Sequence, residues 1–387
     1  MTKTASFRGL RLSLLVAFFS APLATALADQ SPLTVTVTEL GTDKPIAGAT
    51  VGVFSSPYNK EYADTGSDGV AHMVPKGTSQ IVVQIKDYAP VRRNLSDDEL
   101  KSSDHSLKFV MERGIRIGGS VVDQDGKGIA GATILWTARK TYPDGKEILD
   151  ALQRTATTGA DGRWSYDHMP EDATDVSIGA FHPAYLTSNP AVNLEPMPDL
   201  VPLRDGSHKF TLTRGIPVEI TVRDAASGKP LPKARINYGP DLVPIAVRPI
   251  IETDAAGHVT LGVPAGTDLV VTVTAKGLAP ELQRTTVGQD PKTLNFDLQP
   301  AATITGRVVD LNGNGIAGAF VTIDSWRDAH TLRVTNGIRT EDDGSFKWTA
   351  APLDAVKLRA GAAAYDTSDP VSAKAGEPVE IVLHGKL

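Results

Sequence analysis

The chain has 387 residues, 41% of them hydrophobic and 22% charged, with a formal net charge of −6. That length suits three or four domains and that balance suits a soluble globular protein, while the lack of any basic block argues against a nucleic-acid footprint. The absence of cysteine excludes disulfides, thiolate metal sites, a Cys nucleophile and a lipid-bearing cysteine, so packing alone must hold the fold.

The N-terminus reads as an export signal. Lys3, Arg8 and Arg11 give a positive start, an apolar run follows over residues 10–19, and Ala26-Leu27-Ala28 offers small residues before Asp29. Residues 1–28 are expected to be removed, which leaves the mature chain at −9. The alternative is a membrane anchor, but the run is too short to span a bilayer comfortably. No later segment is apolar enough to cross, so no membrane span is expected.

The remainder repeats itself. Alternating strands open at residues 33–40, 114–123, 215–224 and 301–310. After a turn, each unit resumes at an alanine: Ala49, Ala132, Ala234 and Ala319. The spacings of 83, 102 and 85 residues are domain-sized. A second landmark follows: Asp68-Gly69, Asp161-Gly162, Ala256-Gly257 and Asp343-Gly344. Asp-Gly is strong turn chemistry, because glycine accepts positive φ and aspartate bonds its own backbone. A strand, a proline-centred turn (Pro75, Pro170, Pro264, Pro352) and further alternating strands complete each unit. Period-2 alternation buries one face of each strand, and short strands at regular spacing make a sandwich or a barrel. The expected domains are 29–113, 114–213, 214–299 and 300–387. Helix is scarce, limited to a turn near 97–101 and an inserted stretch near 145–153. Both that insertion and residues 189–202 read as loops decorating unit two.

Units two and four carry a family pattern. Gly119-Ser120-Val121-Val122-Asp123 with the stretch 126–134, and Gly306-Arg307-Val308-Val309-Asp310 with 313–321, resemble the opening of a carboxypeptidase regulatory-like domain. The stretches 158–164 and 340–346 resemble that family's turn and following strand. Units one and three drift from it at Leu40-Gly41 and at Ala256-Gly257. The resemblance implies an all-β chain of four tandem seven-stranded, transthyretin-like Greek-key β-sandwiches, modules that mostly work without catalysis beside enzymes, surface proteins or receptors. Related surface sandwiches carry a Lys–Asn cross-link, but the opening strands here contain no lysine.

Chemistry is harder to find. His168-Met169-Pro170-Glu171 fits His-x-x-Glu, but on a proline turn without a second histidine it reads as ordinary turn residues. No Gly-x-Ser-x-Gly elbow occurs. Asp310-Leu311-Asn312-Gly313-Asn314-Gly315 copies half of a calcium loop, but its twelfth position is Val321; Asp123 to Gly128 fails in the same way at Ile134. Both read as turns. No catalytic residue, metal ligand or cofactor is therefore assigned. Trp136, Trp164 and Trp348 have core parity. Trp326 has the parity of Phe320, opposite to Ala319, Val321 and Ile323, and is the best candidate for an exposed sugar platform. Tyr142, in the insertion, is the second aromatic candidate. His182 and Tyr185 complete the binding candidates, although Tyr185 matches Tyr88 and Tyr365 and that repetition favours a structural role.

Three readings compete. The first is an exported, non-catalytic array acting in binding, adhesion or as a spacer, with a protein or polysaccharide partner. The second is an enzyme or hydrolase subunit whose site lies in the long loops of unit two. The third is a carbohydrate-binding array, which requires Trp326 and Tyr142 exposed on one face.

Overall fold

The structure, a computed structural model, describes residues 33–56, 59–73, 80–95, 105–140, 156–186, 195–197, 199–241, 251–330, 334 and 337–386. Within these residues four successive groups of seven strands form. They run from β1 (Leu33–Glu39) to β7 (Ser106–Met111), from β8 (Ile115–Asp123) to β14 (Lys209–Leu212), from β15 (Ile216–Asp224) to β21 (Lys292–Leu298), and from β22 (Ala302–Val309) to β28 (Val379–Val382). One topology serves all four. The first strand of each group lies between the fourth and the seventh, antiparallel to the fourth and parallel to the seventh. The other sheet runs third, second, fifth, sixth. Two facing sheets of three and four strands close each core, which is the Greek-key sandwich that the resemblance implies.

Side-chain alternation explains why. In β1 Leu33, Val35 and Val37 point inward, and in β21 Leu294, Phe296 and Leu298 do so. The glycine landmark has two causes in every unit. Gly69, Gly162, Gly257 and Gly344 all have φ between 73° and 80°. A Cβ on any of them would lie within 2.7 Å of a carbonyl oxygen of the opening strand (Val37, Val121, Val222, Val308). The acid is free to move. Asp68, Asp161 and Asp343 accept the N–H two residues on, whereas in unit three Asp254 accepts from His258 at 2.8 Å and takes over that duty.

A second repeated device was not anticipated. A buried threonine staples each unit after its first turn. Thr65, Thr158, Thr253 and Thr340 donate to the carbonyls of Ile46, Ile129, Leu231 and Ile316 at 2.6 Å. Each hydroxyl also accepts from the recurring alanine's N–H at 2.8–3.0 Å. Thr340→Val keeps the shape and orphans two buried backbone groups, so it is expected to destabilise unit four by about 1–3 kcal/mol. Hydrogen exchange of the unit-four amides checks this.

Residues 189–202 are not purely loop. Their described part contains a short strand, β13 (Glu195–Pro196), which extends a sheet of unit two, and a one-turn helix, α1 (Val201–Arg204), which buries Leu203. The stretches near 97–101 and 145–153 lie outside the described residues.

The apolar core crosses every unit boundary. One buried cluster runs from Leu33 of unit one to Phe210 of unit two. Phe181 of unit two packs into the core of unit three, and Val270 and Leu282 of unit three pack into that of unit four. The joints between units are therefore packed surfaces.

Candidate functional site: the junctions between sandwiches

Units two and four dock on their predecessors through the same device. Lys140 lies eight residues after Ala132, and Arg327 lies eight residues after Ala319. Asp172 lies two residues after Pro170, and Asp354 two after Pro352. In the fold each cation binds its matching aspartate, and each also binds a glutamate of the unit before. Lys140 Nζ donates to Asp172 Oδ1 and Glu112 Oε2. Arg327 donates from Nε to Asp354 Oδ2 at 2.8 Å, and from Nη1 to Glu281 and to the Leu282 carbonyl.

The electrostatics follow from burial. Burial alone would depress the Lys140 pKa, but hydrogen bonds to Asp172 and Glu112 outweigh it and hold the amine above its ordinary range. Arg327 is raised in the same way, burial being outweighed by Asp354 and Glu281. Asp172 sits mostly in solvent and its carboxyl falls below the usual range, chiefly through the Lys140 hydrogen bond. Glu112 moves the other way, because its own burial exceeds what Lys140 returns. A positively charged lysine between two carboxylates is an ion-pair joint and a poor nucleophile, so this cluster is not primed for an amide cross-link.

The backbone at Arg327 is strained. Arg327 and Asp328 have φ of 49° and 59° inside a tight turn closed by mutual Trp326–Ala329 bonds of 2.9 and 3.0 Å. Glycine or asparagine normally fills such positions, and other residues cost about 1–2 kcal/mol each. The turn aims the guanidinium into a cleft of about 320 Å³ between units three and four, shared with Glu281, Asp354 and Lys374. On the same face His330 N donates to Asp241 of unit three at 2.7 Å.

The second junction uses glycine. Gly262 N–H of unit three donates to the Pro183 carbonyl of unit two at 2.7 Å, and a Cβ on Gly262 would lie 2.3 Å from the Ala184 oxygen. This is where two of the binding candidates fall. His182 is half-buried, accepts the Ala184 N–H at 3.2 Å, meets the Tyr185 ring edge-on, and burial lowers its pKa. Tyr185 bridges to Arg214, whose guanidinium reaches buried Asp123. Tyr88 repeats the pattern with Arg113 and Glu39, and Tyr365 occupies the same place with Gly385. Both candidates belong to the joint.

Trp326 requires a correction. It is 1% exposed, not a surface platform, and its indole N–H donates to Asp354 at 3.0 Å. The cause is a bulge in β23 (Phe320–Ser325): Ile323 pairs with Leu358 but Ser325 with Lys357, so Asp324 is an extra residue. One inserted residue reverses strand parity, and Trp326 turns inward. Phe320, ahead of the bulge, keeps the outward face and is 37% exposed. Tyr142 lies outside the described residues. Trp136, Trp164 and Trp348 are core, at 0%, 5% and 5% exposure.

The apparent chemical motifs have structural employment. His168 lies on β11 (Arg163–Met169), edge-on to Tyr166. Asp310 Oδ1 accepts the N–H groups of Asn312 and Asn314, and Asp123 Oδ1 those of Asp125 and Lys127. Among the described residues, no three His, Asp or Glu side chains gather as a metal set.

With this architecture in place, comparison with known proteins is informative for one unit. Residues 303–384 match the carboxypeptidase regulatory-like domain. The match spans β22 to β28, the complete seven-strand set of unit four, and unit two shares its topology with that carboxypeptidase regulatory-like domain. No curated protein matches the chain. Among solved structures, a streptococcal ancillary pilin is similar at 12% identity, covering 70% of this chain and 100% of its own, with a TM-score of 0.24. The Bacillus anthracis TIE protein is similar at 13% identity over 89% of this chain and 70% of its own, with a TM-score of 0.20. The major pilin subunit of Bacillus cereus is similar at 12% identity over 71% and 100%, with a TM-score of 0.19.

The clamps escaped the sequence reading, although a signal was present. The cation recurs at one offset from the alanine and the aspartate at one offset from the proline, in units two and four alone. Lys140 and Asp172 are 32 residues apart, and Arg327 and Glu281 are 46, so strand-by-strand reading does not join them.

Proposed function

We propose that this chain is an exported, non-catalytic array whose four sandwiches are locked into a fixed spacer or scaffold. The observation that supports it most is the repeated clamp, in which Lys140 and Arg327 bind an aspartate of their own unit and a glutamate of the unit before. A string of independent binding modules would need flexible linkers. Here β7 ends at Met111 and β8 begins at Ile115, and β21 ends at Leu298 with β22 beginning at Ala302, so three residues join each pair. A strained backbone held at Arg327 is the kind of feature that persists where geometry matters. Export is inferred from the N-terminal pattern, and no helix among the described residues is long and apolar enough to cross a membrane.

Small-angle X-ray scattering of the chain lacking residues 1–28 tests this reading. The expected result is one maximum dimension, the same in low and in 1 M salt, because apolar packing backs each clamp. A spread of dimensions, or expansion in salt, would point to loosely tethered modules.

A further inference from the structure

Unit two carries an open groove of about 560 Å³ on the outer side of its three-stranded sheet. Arg116 of β8, Arg163 of β11 and Arg204 of α1 line it, and Gly118 and Gly119 form its floor. Beneath Gly119 the buried indole N–H of Trp164 has no acceptor, and a Cβ on Gly119 would lie 3.1 Å from that nitrogen.

The other units do not share the arginines, although unit four has Gly306 at the place of Gly119. Where unit two has Arg116, units three and four have Pro217 and Thr303; where it has Arg163, they have His258 and Ser345. At the place of Gly118 stand Glu219 and Thr305. Arg204 belongs to a passage peculiar to unit two. Three guanidinium groups along one groove, in a chain of net charge −6, are not what a plain repeat requires.

We propose that this groove binds a small polyanion through its carboxylate or phosphate oxygens. Guanidinium groups pair with such oxygens in bidentate fashion and carry five donors each. Their present partners take few of these. Arg116 donates to Ser165 Oγ at 3.2 Å and has Asp167 at 3.5 Å; Arg163 has Asp161 at 4.0 Å; Arg204 donates to the Glu171 carbonyl. Asp205 stands at the rim, its carboxylate accepting the Ser207 N–H at 2.8 Å. The aspartates beside Arg116 and Arg163 are 62% and 66% exposed, and such surface pairs yield readily to a better-placed anion.

Isothermal titration of the full chain at low ionic strength tests the groove with citrate, inorganic phosphate and neutral maltohexaose. Citrate or phosphate is expected to bind, and Arg116→Ala/Arg163→Ala to weaken it at least about tenfold. Both side chains are 74% exposed, so the variant is expected to stay folded, which the far-ultraviolet dichroism checks. Arg223→Ala/Arg235→Ala in unit three removes equal charge and is expected to leave affinity unchanged. A response to citrate alone identifies carboxylates, and one to phosphate alone identifies phosphoryl groups. Equal loss in both double variants, equal binding of maltohexaose, or no heat from either anion would overturn the proposal.

Discussion

Trp326→Ala is expected to destabilise unit four by about 3–5 kcal/mol, the cost of emptying a buried aromatic site. The indole is 1% exposed and packs in the unit-four core with Leu358 and Ile381. Its loss also takes one partner from Asp354, whose carboxyl lies below the usual range because hydrogen bonds from Arg327 and Trp326 outweigh its burial. The Arg327 guanidinium, 5.0 Å from the indole ring, loses its support as well. Trp326→Phe retains most of the packing and removes the N–H, so a smaller cost of about 1.5–3 kcal/mol is expected. Hydrogen exchange of the unit-four strands reads both, since cores shared between units make a single unfolding midpoint hard to assign. An exposed platform would instead lose within about 0.5 kcal/mol in either variant.

Lys140→Met should show the second large effect, and its size depends on pH. The substitution keeps the apolar stem and deletes the charge. Glu112, 12% exposed, is then buried without its cation. Breaking a fully buried pair costs about 3–5 kcal/mol; here about 2–3 is expected, because Asp172 is 74% exposed. The Glu112 carboxyl already stands above its ordinary range through burial. A raised folded pKa means that folding favours the protonated acid, so its cost is present at neutral pH and fades as pH falls. Asp172, held low by Lys140, contributes stability that is lost as pH falls through its folded pKa. The variant has no Asp172 contribution to lose, and its Glu112 cost, enlarged by the loss of Lys140, fades as the acid protonates. Its deficit is therefore expected to be largest near pH 7–8 and to shrink toward pH 4. Lys140→Met/Glu112→Gln, which leaves no buried charge, is expected to recover most of the loss. Hydrogen exchange of the unit-one and unit-two strands across this pH range, referred to the intrinsic rate at each pH, decides it; a deficit that grows in acid would contradict the assignment.

These effects mark where sequence reading succeeds. Alternation in strands such as β21, the Gly landmark and the recurring alanine are local signals, and each is forced by local physics: one buried face, one positive φ, one close carbonyl. They gave four sandwiches of one kind. The drift at Ala256-Gly257 proved shallow, because Asp254 serves the same N–H from two residues earlier. Parity failed at Trp326 because a bulge at Asp324 leaves no compositional mark; its carboxylate is held by Arg359 on the neighbouring strand, far away in sequence. The joints were opaque for a related reason. Tyr185 and His182 look like an outward turn until unit three is placed against them, and Lys140 looks like an ordinary surface cation until Glu112 and Asp172 arrive. Long-range pairing is what a repeat hides, since every unit looks complete by itself.

The fixed junction is tested most directly by a distance distribution across it. The chain contains no cysteine, so Thr293→Cys on unit three and Lys347→Cys on unit four accept nitroxide labels at those positions alone. Both side chains are exposed and stand on strands, away from the residues that line the cleft of Glu281, Arg327 and Asp354. Double electron–electron resonance is predicted to give one narrow distance, which broadens when Arg327→Ala removes the clamp. A broad distribution in the chain that retains Arg327 would contradict the locked array.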